Sequence, residues 1–113
     1  MSKKYLLIYR GPRASEMPPH SPAEMQKFLA TWGEWKAKFG DRIVEMGDAL
    51  HDTGKILSKT GVTDGPLVES KEVIGGYSIV QGTSYDDAMT VARECPIMFM
   101  PNSRIEVREL MGY

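Results

Sequence analysis

The sequence predicts an α+β fold of the ferredoxin-like kind, a β-α-β-β-α-β chain in which one antiparallel sheet carries two helices. Three observations predict it: segments rich in β-branched and aromatic residues, two stretches with apolar residues at three- and four-residue steps, and glycines or prolines between them. At 113 residues, 42% of them hydrophobic, the chain has the size and composition of one globular domain. We therefore expect a single domain over residues 1–113.

The first strand and the first helix have the clearest local signals. Residues 4–10, KYLLIYR, form an apolar run typical of a strand that is buried on both faces. After a proline-rich loop, Ser21 is a predicted N-cap, Glu24 completes a capping box, and Gly40 is placed to end a helix over 22–39. The apolar stripe of this helix consists of Met25, Phe28, Leu29, Trp32, Trp35 and Phe39.

The middle strands are less well marked. Residues 41–50 fit neither the helical nor the strand period, so the second strand is predicted at 55–59. The third strand, at 73–81, is predicted to pair with it. Gly75 and Gly76 indicate a bulge or tight packing in that strand, or else the close approach of a ligand to Gly76.

The second helix and the last strand complete the predicted order. Ser84 is a predicted N-cap, and Pro96 ends the helix. The last strand, at 104–110, alternates between apolar and charged residues, so one face carries the apolar side chains. Glu106 and Arg108 point to the other face.

The two helices can cover only one face of such a sheet. A first strand that is apolar on both faces also needs cover on the other side, and no further element remains in the sequence to supply it. We therefore predict a second copy of the chain as the cover. The apolar run Met98-Phe99-Met100, between two prolines, favours packing against that partner.

Composition argues against several function classes. The 14 basic and 15 acidic residues nearly cancel, so neither nucleic acid nor an anionic membrane surface is an expected partner. No apolar run approaches the roughly 20 residues that cross a bilayer. Cys95 has no partner for a disulfide and is interpreted as an inert buried thiol, which favours a cytoplasmic protein. No residues have metal-ligand spacing and no phosphate-binding loop is complete, so no cofactor is expected.

The stretch GVTDGPLVESKEVIGGY, residues 61–77, holds most of the candidate site residues. Asp64 with the following Gly-Pro is typical of a tight turn, and such a turn could also aim the Asp64 carboxylate into a pocket as a proton-transfer group. Glu69 is close enough in sequence to join it, whereas Lys71 and Glu72 are interpreted as solvated charges. Tyr77 is either a core residue or an acid in the pocket.

The first and last strands offer further candidates. Glu106 and Arg108 form an ion pair across the dimer seam in one interpretation, and in the other Arg108 holds an anionic ligand, because a guanidinium binds a carboxylate through two hydrogen bonds. Tyr5 and Tyr9 share one face of the first strand and are expected to line the same space as these charges.

Several spaced motifs together resemble the YCII-related family, and specifically its DGPF subgroup. The resemblance is concentrated in residues 61–108 and extends more weakly over the first strand and helix. Leu67 stands where the subgroup usually has Phe, and Glu109 stands where a proline usually follows the last arginine. The matching residues are Asp64-Gly65-Pro66-Leu67, Glu69, Lys71-Glu72, Gly75-Gly76-Tyr77, Asp87-Ala88, Cys95-Pro96 and Ile105-Glu106-Val107-Arg108.

The resemblance implies a ferredoxin-like fold assembled as a homodimer of the dimeric α/β barrel type, with a pocket between helices and sheet. Some relatives resemble dehydrochlorinating or muconolactone-isomerase-like enzymes with a His-Asp pair, but neither His20 nor His51 lies in a matched motif. Two functions stay open. One is cofactor-independent acid–base catalysis of the lyase or isomerase type on a small anionic or phenolic molecule. The other is non-catalytic ligand binding in a dimer linked to transcription control, since the subgroup tends to occur beside sigma-factor-like regulators.

Overall fold

The computed structural model describes residues 2–13, 19–65 and 72–113 and places them in one α+β architecture. A four-stranded antiparallel sheet has the order β2-β5-β1-β6, and a separate two-stranded hairpin is formed by β3 and β4. The strands are β1 (Lys3–Gly11), β2 (Ile43–Ala49), β3 (Gly54–Ser58), β4 (Gly61–Gly65), β5 (Val73–Gly82) and β6 (Arg104–Glu109), and the α-helices are α1 (Pro22–Phe39) and α2 (Tyr85–Arg93). Short 3₁₀ turns follow each α-helix, at Gly40–Arg42 and Pro96–Phe99.

The predicted α+β class, with one antiparallel sheet and two helices, is confirmed, but the identity of the second sheet strand is corrected. Strand β5 pairs with β2, whereas residues 54–58 pair with β4 in the hairpin, so the predicted pairing of 55–59 with 73–81 is wrong. The reason lies in β2, where Gly47 has φ +70° and the register against β5 shifts twice. These irregularities remove the alternation by which a strand is detected in a sequence.

Asp64 and Gly65 also differ from the predicted tight turn. Both belong to β4, where Asp64 lies opposite Lys55 and Gly65 lies opposite Gly54. The hairpin instead turns at Lys59 and Thr60, and Pro66 lies outside the described residues. Pairing across the hairpin therefore takes precedence over the turn preference of Asp-Gly in this stretch.

Helix α1 begins and ends where the sequence predicts. The Ser21 side chain accepts a hydrogen bond from the Glu24 amide at 3.1 Å, and the Glu24 carboxylate accepts one from the Ser21 amide at 3.3 Å, which forms the predicted capping box. Only the C-terminal half of α1 packs closely, because Trp35 is buried whereas Met25 is 46% exposed and Leu29 60% exposed.

The core lies between the helices and one face of the sheet. Trp35 joins the two helices, since its indole N–H donates to the Val91 carbonyl oxygen at 3.0 Å. The Arg42 guanidinium donates to the Asp87 carbonyl oxygen at 2.9 Å and so ties the start of β2 to α2. The buried core residues are Tyr5, Leu7, Tyr9, Trp35, Ile43, Val80, Ala88, Val91, Ala92 and Cys95.

The opposite face of the sheet, which we call the open face, carries no helix of the described residues. In β1 it carries the half-buried Leu6 and Ile8, and in β5 it carries Ile74, Tyr77 and Ile79. Ile74 is 47% and Tyr77 37% exposed. This arrangement agrees with the expectation that a first strand apolar on both faces leaves an apolar surface uncovered within one chain.

A substitution at Gly47 tests the close packing of β2 against β5. A β-carbon at that position would lie 1.8 Å from the Tyr77 carbonyl oxygen, and its φ of +70° disfavours side chains. We expect Gly47→Ala to lower the free energy of unfolding by at least about 2 kcal/mol in urea titrations. The control is Gly33→Ala within α1, where a β-carbon meets no atom within 4 Å and should raise stability by up to about 1 kcal/mol. Equal stability of Gly47→Ala and the natural protein would contradict this account.

Candidate functional site

A chain of hydrogen bonds runs through the core beneath α1. The Tyr9 hydroxyl donates to Ser78 Oγ at 2.5 Å, and the Ser78 hydroxyl donates to the Met46 carbonyl oxygen at 2.6 Å. The Cys95 thiol donates to the Tyr9 hydroxyl oxygen at 3.5 Å. Strands β1, β2 and β5 and the segment that follows α2 thus each contribute one group, and we call this set the buried polar chain.

The buried polar chain is uncharged near neutral pH. Burial raises the pKa of the Tyr9 hydroxyl far above its usual value, and the neighbouring Cys95 raises it further. Burial also raises the pKa of the Cys95 thiol. A neutral phenol and a neutral thiol can donate and accept hydrogen bonds, but neither is a strong base or nucleophile in this state.

Aromatic rings surround the outer end of the buried polar chain. The Trp32 ring lies 5.8 Å from that of Tyr9 and 5.6 Å from that of Trp35, measured between centroids. Phe28 lies edge-on to Trp32 at 6.0 Å, one turn towards the exposed end of α1. Because Trp32 and Phe28 are only half-buried, this aromatic group connects the buried polar chain with the protein surface.

Among the described residues, the structure places two of the predicted site residues, Tyr9 and Gly76, directly opposite each other. They lie opposite each other in β1 and β5, and a β-carbon on Gly76 would lie 3.3 Å from the Tyr9 ring and 2.8 Å from the Asp48 carbonyl oxygen. Gly76 is therefore required by the packing of β1 and β2 against β5. The register skips Gly75 between Tyr9 and Arg10, which is the predicted bulge.

Tyr9 and Arg108 lie on opposite faces of the sheet, so the expectation that the tyrosines share the space of the last-strand charges is wrong. Tyr9 faces Ile105 on the helix side, whereas Arg108 is opposite Leu6 on the open face. The sequence pattern of each strand gives its two faces correctly. The pairing register between two strands decides which of their faces lie on the same side of the sheet. This register is a long-range property that the local sequence pattern does not contain.

Tyr77 and Arg108 share the open face with Glu106. Tyr77 lies opposite Ile8, and Ile8 lies opposite Glu106 in the next strand. Glu106 accepts a hydrogen bond from Arg10 at 3.0 Å and lies 4.0 Å from Arg108. The Arg108 side chain is 71% exposed, so it is accessible on this face.

Asp64 lies on the hairpin, away from the buried polar chain. Its carboxylate accepts a hydrogen bond from the Lys55 ammonium at 2.5 Å, and its side chain is 88% exposed. The two charges border a cleft of about 450 Å³ that Thr53, Gly54 and Gly65 complete. Glu69, the remaining predicted residue, lies outside the described residues.

Several polar residues that the sequence left unassigned take part in these arrangements. Ser78 is fully buried and holds Tyr9, and its signal was a small polar residue in the apolar stretch VIGGYSIV. Arg10 and Arg104 lie opposite each other on the open face and both contact Glu72. Neither arginine stands out in the sequence, since each ends or begins a strand.

The histidines stay at the surface in the described residues. His20 Nδ1 lies 3.6 Å from the Glu24 carboxylate at the start of α1, and its side chain is 45% exposed. His51 is exposed in the connection between β2 and β3. Across the described ranges, His, Cys, Asp and Glu side chains form no group of three that could hold a metal ion.

The strand order and the two helices on one face define an α+β protein of the ferredoxin-like type. A family model described as the YCII-related domain matches residues 7–111, which is nearly the whole chain, so the protein belongs to the YCII-related family. No curated protein matches the sequence. In the part of the chain that the structure describes, neither helix is long and apolar enough to cross a membrane.

A mutant cycle tests the buried polar chain. We expect Ser78→Ala to lower the free energy of unfolding by about 1–3 kcal/mol, because it leaves the Tyr9 donor and the Met46 carbonyl oxygen unpaired. Tyr9→Phe should cost less, since Ser78 can still donate to Met46. The double variant should cost less than the sum of the two by at least about 0.5 kcal/mol.

Urea titration measures the four unfolding free energies, with Ser58→Ala on the exposed hairpin as the matched serine control. Additive effects of Ser78→Ala and Tyr9→Phe would show that the two hydroxyls do not interact.

Proposed function

We propose that this protein is a homodimer that packs two open faces together and binds a small anionic or phenolic molecule in a cleft sheltered by the second copy. The observation that carries the proposal is the uncovered open face. Ile74 and Tyr77 are exposed there beside the half-buried Leu6, Ile8 and Ile79. Burial of contiguous apolar surface is the main favourable term in most protein association. The dimeric α/β barrel of the DGPF subgroup is the form of dimer that we propose.

The hairpin supports the same proposal independently. A two-stranded hairpin is marginally stable by itself in water, and β3 and β4 form no sheet with any other strand of the described chain. Leu57, 79% exposed, and Val62, 61% exposed, face each other across it. A second copy that covers this pair would stabilise the hairpin and enclose the cleft beside Lys55 and Asp64.

Introducing a charge on the open face tests the dimer. Ile74→Glu should weaken self-association at least about 100-fold, because an unpaired charge in an apolar interface costs roughly 3 kcal/mol or more. Sedimentation equilibrium over a micromolar concentration series measures the dissociation constant. Leu29→Glu, at a 60% exposed site on α1, is the control and should leave self-association unchanged. A natural protein that stays monomeric throughout the series would end the proposal.

In the catalytic version of this proposal, Asp64 is the residue that transfers a proton. An accessible carboxylate beside a lysine ammonium can accept a proton from a substrate, while the ammonium attracts the anionic group of that substrate. Closing the cleft in a dimer would exclude water and strengthen both interactions. This is cofactor-independent acid–base chemistry of the lyase or isomerase type, with Asp64 as the proton-transfer group. Tyr77 and Arg108, on the open face, are then the residues that orient the substrate across the dimer seam.

Replacing Asp64 separates catalysis from binding. Small carboxylates and phenols that raise the melting temperature are first identified, because a ligand of the native state stabilises it. Asp64→Asn should keep the stabilisation by such a compound and lower its turnover by about 100-fold to 10,000-fold. Asp41→Asn, at another exposed carboxylate, is the control.

The non-catalytic alternative predicts a different result from the same variants. If the natural protein binds such a compound and converts none of it, the protein is a ligand-binding or regulatory dimer. The neutral state of Tyr9 and Cys95 favours this alternative, because the core then holds no strong base. In either form the unpaired Cys95 is consistent with a reducing compartment, and we place the protein in the cytoplasm.

A further inference from the structure

A second charged cluster lies on the open face, at the end of the sheet where β1 finishes. Arg10 and Arg104 are opposite each other in β1 and β6, so both guanidinium groups project from the same face. The Glu72 carboxylate lies between them. Arg104 donates to both of its oxygens, at 2.9 Å from Nε and 2.5 Å from Nη2, and Arg10 Nε lies 3.7 Å from one of them.

This geometry is the one by which proteins recognise a free carboxylate. A guanidinium that donates two parallel hydrogen bonds to the two oxygens of one carboxylate provides both affinity and orientation. Two like charges on facing positions of adjacent strands repel each other unless an anion lies between them. Here the anion is a side chain of the chain itself.

We propose that the Arg10–Arg104 pair is a binding site for a small carboxylate, and that Glu72 is an internal occupant with which the ligand exchanges. Glu72 immediately precedes β5, whose first residue, Val73, pairs with Gly11. In this proposal the Glu72 side chain rotates away while Val73 stays paired. The site would therefore bind a ligand carboxylate in the position that the Glu72 carboxylate now occupies.

The surroundings provide room and polar contacts for the rest of a ligand. A cleft of about 360 Å³ adjoins the pair and is lined by Pro12, Glu72, Asn102, Ser103 and Arg104. Asn102, one of these lining residues, has φ +61° in the turn that precedes β6. This volume is within the range of clefts that bind small molecules.

The charges around the arginine pair favour replacement of the Glu72 carboxylate by a ligand carboxylate. The Arg104 side chain is 71% exposed and the Glu72 side chain 26% exposed. Glu72 gives up two hydrogen bonds from Arg104 when it leaves, and a ligand carboxylate in the same position replaces both of them. Arg10 is held from its other side by Glu106 at 3.0 Å, which keeps its guanidinium in place when Glu72 leaves. Without Glu72, the site has two positive charges and one negative charge.

The inference does not depend on the Lys55–Asp64 cleft or on catalysis, but the Arg10–Arg104 pair lies on the open face that the proposed dimer packs together. The Arg10–Arg104 pair uses none of the hairpin residues that border the Lys55–Asp64 cleft, and all its groups come from one chain. If the protein is a monomer, or if Asp64 is not catalytic, the prediction that the Arg10–Arg104 pair binds a carboxylate is unchanged.

The experiment removes the internal occupant and measures binding of benzoate at constant ionic strength. Glu72→Ala should bind benzoate at least about 10-fold more tightly than the natural protein, because a competing intramolecular group reduces the available fraction of sites. Binding is followed by thermal shift and by NMR of the arginine Nε–H groups. Arg104→Ala in the Glu72→Ala background should abolish the gain.

Matched controls make the result specific. Glu94→Ala removes a carboxylate from the exposed Lys38–Glu94 pair, whose cation is an ammonium and not a guanidinium, and should leave benzoate binding unchanged. In the natural protein, high benzoate should shift the Nε–H signals of Arg10 and Arg104 but not that of Arg93. Equal benzoate affinity in Glu72→Ala and the natural protein would overturn the inference. So would tighter self-association of Glu72→Ala with no response to benzoate, since the exchanging carboxylate would then belong to a second copy.

Discussion

The position of β1 at the interior of the sheet is the constraint on which the other features depend. It hydrogen-bonds to β5 along one edge and to β6 along the other, and its side chains are apolar on both faces. One face forms the core under the helices, and the other forms the open face. Tyr9 and Arg10 are adjacent in this strand, so the buried polar chain and the Arg10–Arg104 pair lie back to back, separated by a single layer of backbone.

The two faces divide the chemistry of the protein. On the helix side, the side chains of Tyr9, Ser78 and Cys95 hydrogen-bond to one another without charge, and burial raises the pKa of Tyr9 and of Cys95. On the open face and the hairpin, charged groups are paired but accessible. A pair near solvent exchanges partners at low cost, whereas a buried hydrogen bond that loses its partner is expensive. Ligand recognition is therefore expected at the accessible pairs, and the buried polar chain is expected to hold the strands in register.

Local signals in the sequence were enough for the helices and for the strand faces. The capping box at Ser21 and Glu24 and the glycine after Phe39 gave α1 its correct bounds, because caps are determined by residues a few positions apart. Strand β2 was missed because its bulges break the alternating pattern. The relation of Tyr9 to Ser78 and of Arg10 to Arg104 depends on pairing between residues 69 or more positions apart, which is set by the packing of the whole sheet. The sequence could thus indicate candidate site residues by their residue type, but it could not predict which of them lie close together in the fold.

The irregularity of β2 affects whether another chain can pair with this edge of the sheet. Strand β2 is an outer strand of the sheet, and a regular outer strand invites another chain to continue the sheet by backbone pairing. Its two register shifts, the left-handed Gly47 and the acidic Glu45 and Asp48 interrupt the ladder of donors and acceptors that such growth would need. Addition of another chain to the sheet by backbone pairing is therefore disfavoured at β2, and the proposed dimer would form through a different surface.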